Sequence, residues 1–207
     1  MAVDLNDNDS LNDKANDFWR KNKKNIIVST VFFLVIYYLS HFYFSGQKNS
    51  LQLASEMYQK VIVETDTSKI NIYVNKLKEE FPKTPYASRA SLIQAQNNLK
   101  MQEVTTALKN LDWAVLNSPE SSIKSLALYF KSKVYLQQKE YDLAEKTANL
   151  ITSDGFLGLK NYILGDIYLA KGLNEKALSF LNNALNYYTN KNDLAKVIKT
   201  KIDAISI

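Results

Sequence analysis

Residues 164–184 read LGDIYLAKGLNEKALSFLNNA. Leu164, Gly165, Tyr168 and Gly172 are followed by Ala177, Leu181 and Ala184, so small and large apolar residues recur at helical spacing. From Glu175 onward Ala177, Leu178, Leu181, Ala184, Leu185 and Tyr188 make one continuous stripe. Small residues let two antiparallel helices approach closely, while Tyr and Leu fill the groove toward a neighbouring hairpin. The stretch predicts a helical hairpin that cannot bury its apolar surface alone.

The hairpin has copies upstream. Tyr135, Ala144, Ala148 and Ile151 fall at matching positions, and the interval from Tyr135 to Ala144 equals that from Tyr168 to Ala177. A further unit offers Ala95, Ala107, Leu111, Ala114 and Pro119. The order L-G-x-x-Y, then Ala, large apolar, Ala, resembles the tetratricopeptide repeat. Three units are expected at about 88–121, 125–157 and 158–191. Leu51 to Glu64 and Ser68 to Phe81 read as an irregular hairpin ended by Pro82 and Pro85. Residues 193–205 read as a helix capping the open end, as solenoids require. The expected fold class is all-α: one N-terminal transmembrane helix, then a tetratricopeptide-like solenoid over 51–207.

The span is residues 26–44, IIVSTVFFLVIYYLSHFYF, which holds no Asp, Glu, Lys or Arg. At about 1.5 Å per residue it covers roughly 28 Å, close to the ~30 Å hydrocarbon core of a bilayer. A helix apolar on every face has no side to show water, which disfavours a globular core helix. A cleavable signal peptide needs a shorter core and small residues before the cut. Here a cut after Ser45 or Gly46 would follow Tyr43 or Phe44. Phe18 and Trp19 at one end, and Tyr37, Tyr38, Phe42, Tyr43 and Phe44 at the other, suit the two lipid interfaces.

Charge sets the expected orientation. Lys14, Arg20, Lys21, Lys23 and Lys24 precede the span, whereas Lys48 and Lys60 alone follow within the next turns of sequence. The bias predicts a cytoplasmic N-terminus and an exported domain. The expected layout is a disordered acidic tail over 1–17, a basic juxtamembrane segment over 18–25, the span, a linker over 45–50 and the exported domain. Asp4, Asp7, Asp9, Asp13 and Asp17 superficially resemble a calcium loop, but its Gly and closing Glu are missing.

Catalysis finds no home in the sequence. There is no cysteine, which excludes disulfides, thiol chemistry and Cys-based metal sites. His41, the single histidine, lies in the span, so no Ser/His/Asp set can be assembled. Gly46, Gly155, Gly158, Gly165 and Gly172 match no phosphate or dinucleotide loop. Glu79 and Glu80 are adjacent rather than facing. The segment from Ser50 carries 20 Lys and Arg against 16 Asp and Glu without a dense basic run, which argues against a nucleic-acid partner. No enzyme activity and no cofactor are expected.

Binding remains. In tetratricopeptide folds the first helices of successive hairpins line the concave face, and here they offer Arg89, Leu92, Gln96, Tyr129, Lys133, Tyr162, Asp166 and Leu169. Aromatic area mixed with amide and charged groups suits polypeptide segments. Tyr135 and Tyr168 occupy the repeat's packing position; Tyr129 and Tyr162 read equally well as packing or as groove.

The whole layout resembles the YfgM-type ancillary subunits of the bacterial Sec translocon. Segments that carry the likeness are LASEMYQKVI after the span, TPYASRASLIQAQ, GDIYLAKG and the terminal KIDAISI. The resemblance implies a single-pass inner-membrane protein with a periplasmic domain beside the SecYEG channel. It also implies association with a PpiD-type periplasmic chaperone, contact with membrane lipid, and passage of exported polypeptides to folding factors. The alternative is a tetratricopeptide adaptor for another envelope or organelle membrane complex.

Overall fold

The computed structural model describes the backbone of residues 6–188 and 193–205, with side chains over 14–42, 49–188 and 193–205. Helix α1 runs Asn6–Val63, and the chain divides into two compact units, Met1–Ser50 and Leu51–Ile207. No strand occurs among the described residues.

In the first unit, Lys14–Phe42 is long and apolar enough to cross a membrane, and none of it is buried against protein. Phe33 and Val28 are 69% and 68% exposed, so water is the wrong solvent for this helix. Its polar side chains turn back on the preceding turn: Thr30 Oγ1 donates to the Ile26 carbonyl at 2.8 Å and Asn22 Nδ2 to the Phe18 carbonyl at 3.0 Å. That leaves fewer polar groups facing hydrocarbon.

Helix α1 runs through two segments that the expected layout left outside helices. The tail expected to be disordered over 1–17 is helical from Asn6, while residues 1–5 lie outside the described residues. Once a long helix is nucleated each further residue costs little. The linker expected over 45–50 is helical too, because one glycine weakens a helix by only about 1 kcal/mol. The side chains of Tyr43 and Phe44 lie outside the described residues.

The second unit contains the end of α1 and the helices α2 (Thr67–Glu80), α3 (Pro85–Lys100), α4 (Val104–Asn117), α5 (Ser121–Gln137), α6 (Tyr141–Asn149), α7 (Leu157–Ala170), α8 (Asn174–Leu185) and α9 (Asp193–Ile205). Asp66 caps α2 by accepting from the Ser68 amide at 2.8 Å. Pro85 opens α3 at its first turn behind the N-cap Thr84, so it starts a hairpin rather than ending one.

The three central hairpins close with one and the same turn. Gln102, Lys139 and Gly172 take positive φ of 62°, 62° and 74°. The next amide in each, of Glu103, Glu140 and Leu173, reaches back to the carbonyl of Asn98, Tyr135 and Tyr168 at 2.8, 2.9 and 2.9 Å. These are Schellman closures. The carbonyls of Glu103, Glu140 and Leu173 then accept from Ala107, Ala144 and Ala177, each of them fully buried. Alanine is required there because the two helices cross closely.

Burial links neighbours in series. Ala54 and Val61 of α1 pack with Ile70, Val74 and Leu77 of α2 and Ala87 and Ala90 of α3. Leu92, Ala95, Leu111, Ala114, Ala127 and Val134 join α3, α4 and α5. Leu128, Tyr129, Ala144, Ala148, Ile151, Ile163, Leu164 and Ile167 join α5, α6 and α7, and Leu181, Ala184 and Ile198 tie α8 to α9. Each hairpin is stabilised by the one beside it, as in other solenoids.

Candidate functional site

The lining of the hairpin stack alternates apolar floor with long polar side chains. Between α3 and α5 lies a cavity of about 390 Å³ lined by Gln96, Leu99, Lys100, Phe130, Lys133, Val134 and Gln137. A second, of about 440 Å³, is lined by Leu136, Gln137, Lys139, Tyr141, Asp166, Leu169, Ala170 and Lys201. Gln137 borders both, so the two form consecutive stretches of one surface along α3, α5, α7 and α9.

The residues singled out from sequence separate into three groups. Gln96 and Lys133 line the first cavity, and Asp166 and Leu169 the second. Arg89 and Leu92 line neither. Both terminal nitrogen-to-oxygen contacts from Arg89 Nη2 to the Glu120 carboxylate are 2.9 Å, which holds α3 to the residue preceding α5. Leu92 is 6% exposed and belongs to the core. The tyrosines form the third group. Tyr129 is 9% exposed, and burial pushes its phenol far above the ordinary range, with Tyr162 and Asp166 adding to that rise. Lys133 Nζ lies 5.7 Å from the Tyr129 ring centre, so Tyr129 reaches the groove only as a floor beneath Lys133. Tyr162 is half-buried and carries Lys201 Nζ at 4.7 Å from its ring.

Lys201 was not legible as a groove residue. It reaches from α9 to donate to Asp166 of α7. Burial pulls its ammonium down, and the bonds to Asp166 and Tyr162 outweigh that and leave it above its ordinary value. Thus α9 stands in the place of the first helix of a further hairpin and extends the lining besides covering the end. Phe130 and Gln137 were also missed, since nothing in their spacing separates them from core or surface positions.

Two polar clusters brace the joints behind this surface. Lys78 Nζ donates to Gln94 Oε1 at 2.9 Å and to Asn110 Oδ1, and lies 5.4 Å from the Trp113 ring centre. Gln94 in turn donates to Asn71 and Asn110 to Asn98. Burial pushes the Lys78 ammonium down to about 8. At the next joint but one, Glu145 accepts from Lys171 at 2.7 Å and from the Tyr168 hydroxyl at 2.6 Å, and Lys171 also reaches Asp142 at 2.9 Å. The Lys171 bond first, then Tyr168, hold the Glu145 carboxyl below its usual value. These groups face one another and are satisfied, which is bracing rather than chemistry. No group of three or more His, Cys, Asp or Glu poised for a metal occurs among the described residues.

Comparison with known proteins agrees with this architecture. The chain matches the family described as tetratricopeptide repeat-like domain over residues 16–207. It is similar to the ancillary SecYEG translocon subunit of Neisseria gonorrhoeae, 24% identical over 210 residues, covering 99% of this chain and 100% of that protein. The protein of the same name from Haemophilus influenzae is 26% identical over 174 residues, covering 83% and 85%. That of Escherichia coli is 24% identical over 214 residues, covering 100% of both chains. The likeness expected from the sequence, to YfgM-type ancillary subunits, is therefore met along the span and the repeats together.

Proposed function

Because this chain belongs to the tetratricopeptide repeat-like domain family, we propose that it is a membrane-anchored, noncatalytic polypeptide-binding module that serves as an ancillary subunit of the Sec translocon. One observation carries the reading: relatives bearing that name align with the chain from end to end, anchor helix included. The surface built by Gln96, Phe130, Lys133, Gln137 and Leu169 supports a role in holding peptide, since it offers apolar floor with amide and charged groups able to satisfy a bound backbone.

The mechanism is positional. The helix over residues 26–44 anchors the chain in the inner membrane, with the basic residues before it on the cytoplasmic side and the hairpin stack in the periplasm. Tethering beside the channel raises the effective concentration of weak contacts, so transient segments are held without high intrinsic affinity. A PpiD-type chaperone then receives what the groove releases.

Gentle solubilisation of native membranes followed by identification of co-purifying proteins tests this reading. SecYEG components and a membrane-anchored periplasmic chaperone are the expected partners. Recovery of an unrelated envelope complex, with no translocon component, would replace it by the general adaptor role.

A further inference from the structure

The charges along the groove are unequal. The two cavities are lined by Lys100, Lys133, Lys139 and Lys201 against the single acid Asp166, and Asp166 is already engaged by Lys201. Lys100, Lys133 and Lys139 are exposed, and none of them has a carboxylate partner among the described residues. The segment from Ser50 as a whole carries four more basic than acidic residues, and on this surface lysines outnumber carboxylates four to one. Two lysines behind this surface are drawn into cross-helix pairs: Lys131 to Asp112, and Lys171 to Asp142 and Glu145. Between the groove lysines the floor is apolar, formed by Leu99, Phe130 and Val134 and then Leu136 and Leu169.

We infer that the groove selects acidic amphipathic polypeptide segments, seating apolar side chains on the Leu99, Phe130 and Val134 floor while Lys100, Lys133 and Lys139 pair with flanking carboxylates. The inference rests on the polypeptide-binding role and names the class of segment that role serves. The floor supplies area and the lysines supply sign: a basic segment of equal apolarity meets like charges at close range, which disfavours it. Because the lysines are exposed, the preference is screened by salt. Lys133 is held over the Tyr129 ring, which keeps its ammonium at the groove without neutralising it.

The test uses the full chain in detergent or nanodiscs and two short fluorescein-labelled peptides, one alternating Phe, Leu and Glu and the other carrying Lys at every Glu position. Anisotropy titration is expected to show the acidic peptide binding about tenfold tighter at low salt, with the gap closing at high salt. Lys100→Glu with Lys133→Glu should reverse the order of the two peptides, and Lys100→Gln with Lys133→Gln should equalise them. Both side chains are solvent-facing, and circular dichroism checks that the helices are intact. Equal binding of both peptides by the unaltered chain overturns the charge selection and leaves the groove reading standing. Absence of binding by either peptide overturns both.

Discussion

The Tyr168 hydroxyl donates to Glu145 Oε1 at 2.6 Å, and the same ring stacks on Phe180 at 5.2 Å between centroids with 4° between planes. One side chain thereby ties α7 to both α6 and α8. Tyr168→Phe keeps the stack and loses the bond, for an expected loss of about 1 kcal/mol. Tyr168→Ala loses both and is expected to cost about 3 kcal/mol. Urea unfolding of the two variants separates these contributions.

Glu145 gives that joint an acid limit. Its folded value is depressed by Lys171 and then Tyr168, so its contribution is full above the ordinary carboxylate range. As pH falls through the depressed folded value, that contribution disappears. The difference in melting temperature between the unaltered chain and Glu145→Gln should therefore shrink below about pH 4. A difference that stays constant from neutral to acid pH would contradict this account.

Lys78 acts with the same sign in a higher pH window, through burial rather than pairing. Its folded value of about 8 lies below the ordinary lysine value, so the unfolded chain binds the proton more tightly. Stability contributed by this site rises as pH climbs from about 8 toward the ordinary value of about 10.4, and it is lowest below 8. Lys78→Met should lack that rise, measured as the pH dependence of the melting temperature relative to the unaltered chain. Partial exposure and the Gln94 and Asn110 acceptors keep the effect small, of the order of 1 kcal/mol.

The hairpin turns predict two substitutions of opposite effect. Gln102 holds φ at 62°, a conformation that costs a side-chain-bearing residue about 1 kcal/mol, so Gln102→Gly is expected to stabilise by roughly that amount. Gly172→Ala should cost about as much through conformation alone, because no atom lies within 4 Å of the added Cβ. Gly165→Ala fails for a different reason. Its Cβ would meet Leu181 Cγ and Cδ2 at 2.7 Å in a fully buried crossing, for an expected loss of about 1–3 kcal/mol. In a Leu181→Ala background Gly165→Ala should cost less than in the unaltered chain, which a double-variant cycle of thermal melts would reveal.

These particulars also mark what a linear reading can hold. Ala107, Ala144 and Ala177 were legible because the helix crossing forces small size at one register position. Gly172 was legible as a member of the repeat order, whereas Gln102 and Lys139 make the same turn at a modest cost that leaves no mark in the sequence. Asn98 occupies the place of Tyr135 and Tyr168. There it donates to Glu103 at 2.7 Å and accepts from Asn110, a role that nothing in its spacing marks. Tyr129 and Tyr162 differ in depth although each lies on the first helix of its hairpin, because Phe130 and Lys133 cover one and Lys201 the other. The placement of Arg89 and Leu92 away from the groove follows from helix rotation, which short repeats leave loosely determined in sequence. Helix continuity through residues 45–50 depended on the length of the flanking helices rather than on local composition.

The central claim is that the α3, α5 and α7 lining holds exported polypeptide beside the translocon. A photoreactive residue at Gln96 or Lys133, both exposed on that lining, reports it better than one at the buried Tyr129. In native membranes during active export, irradiation should give adducts with nascent exported chains and with translocon or chaperone components, and the same probe at the buried Leu111 should give none. Adducts of equal yield from both positions, or none containing exported chains from Gln96 and Lys133, would contradict the account.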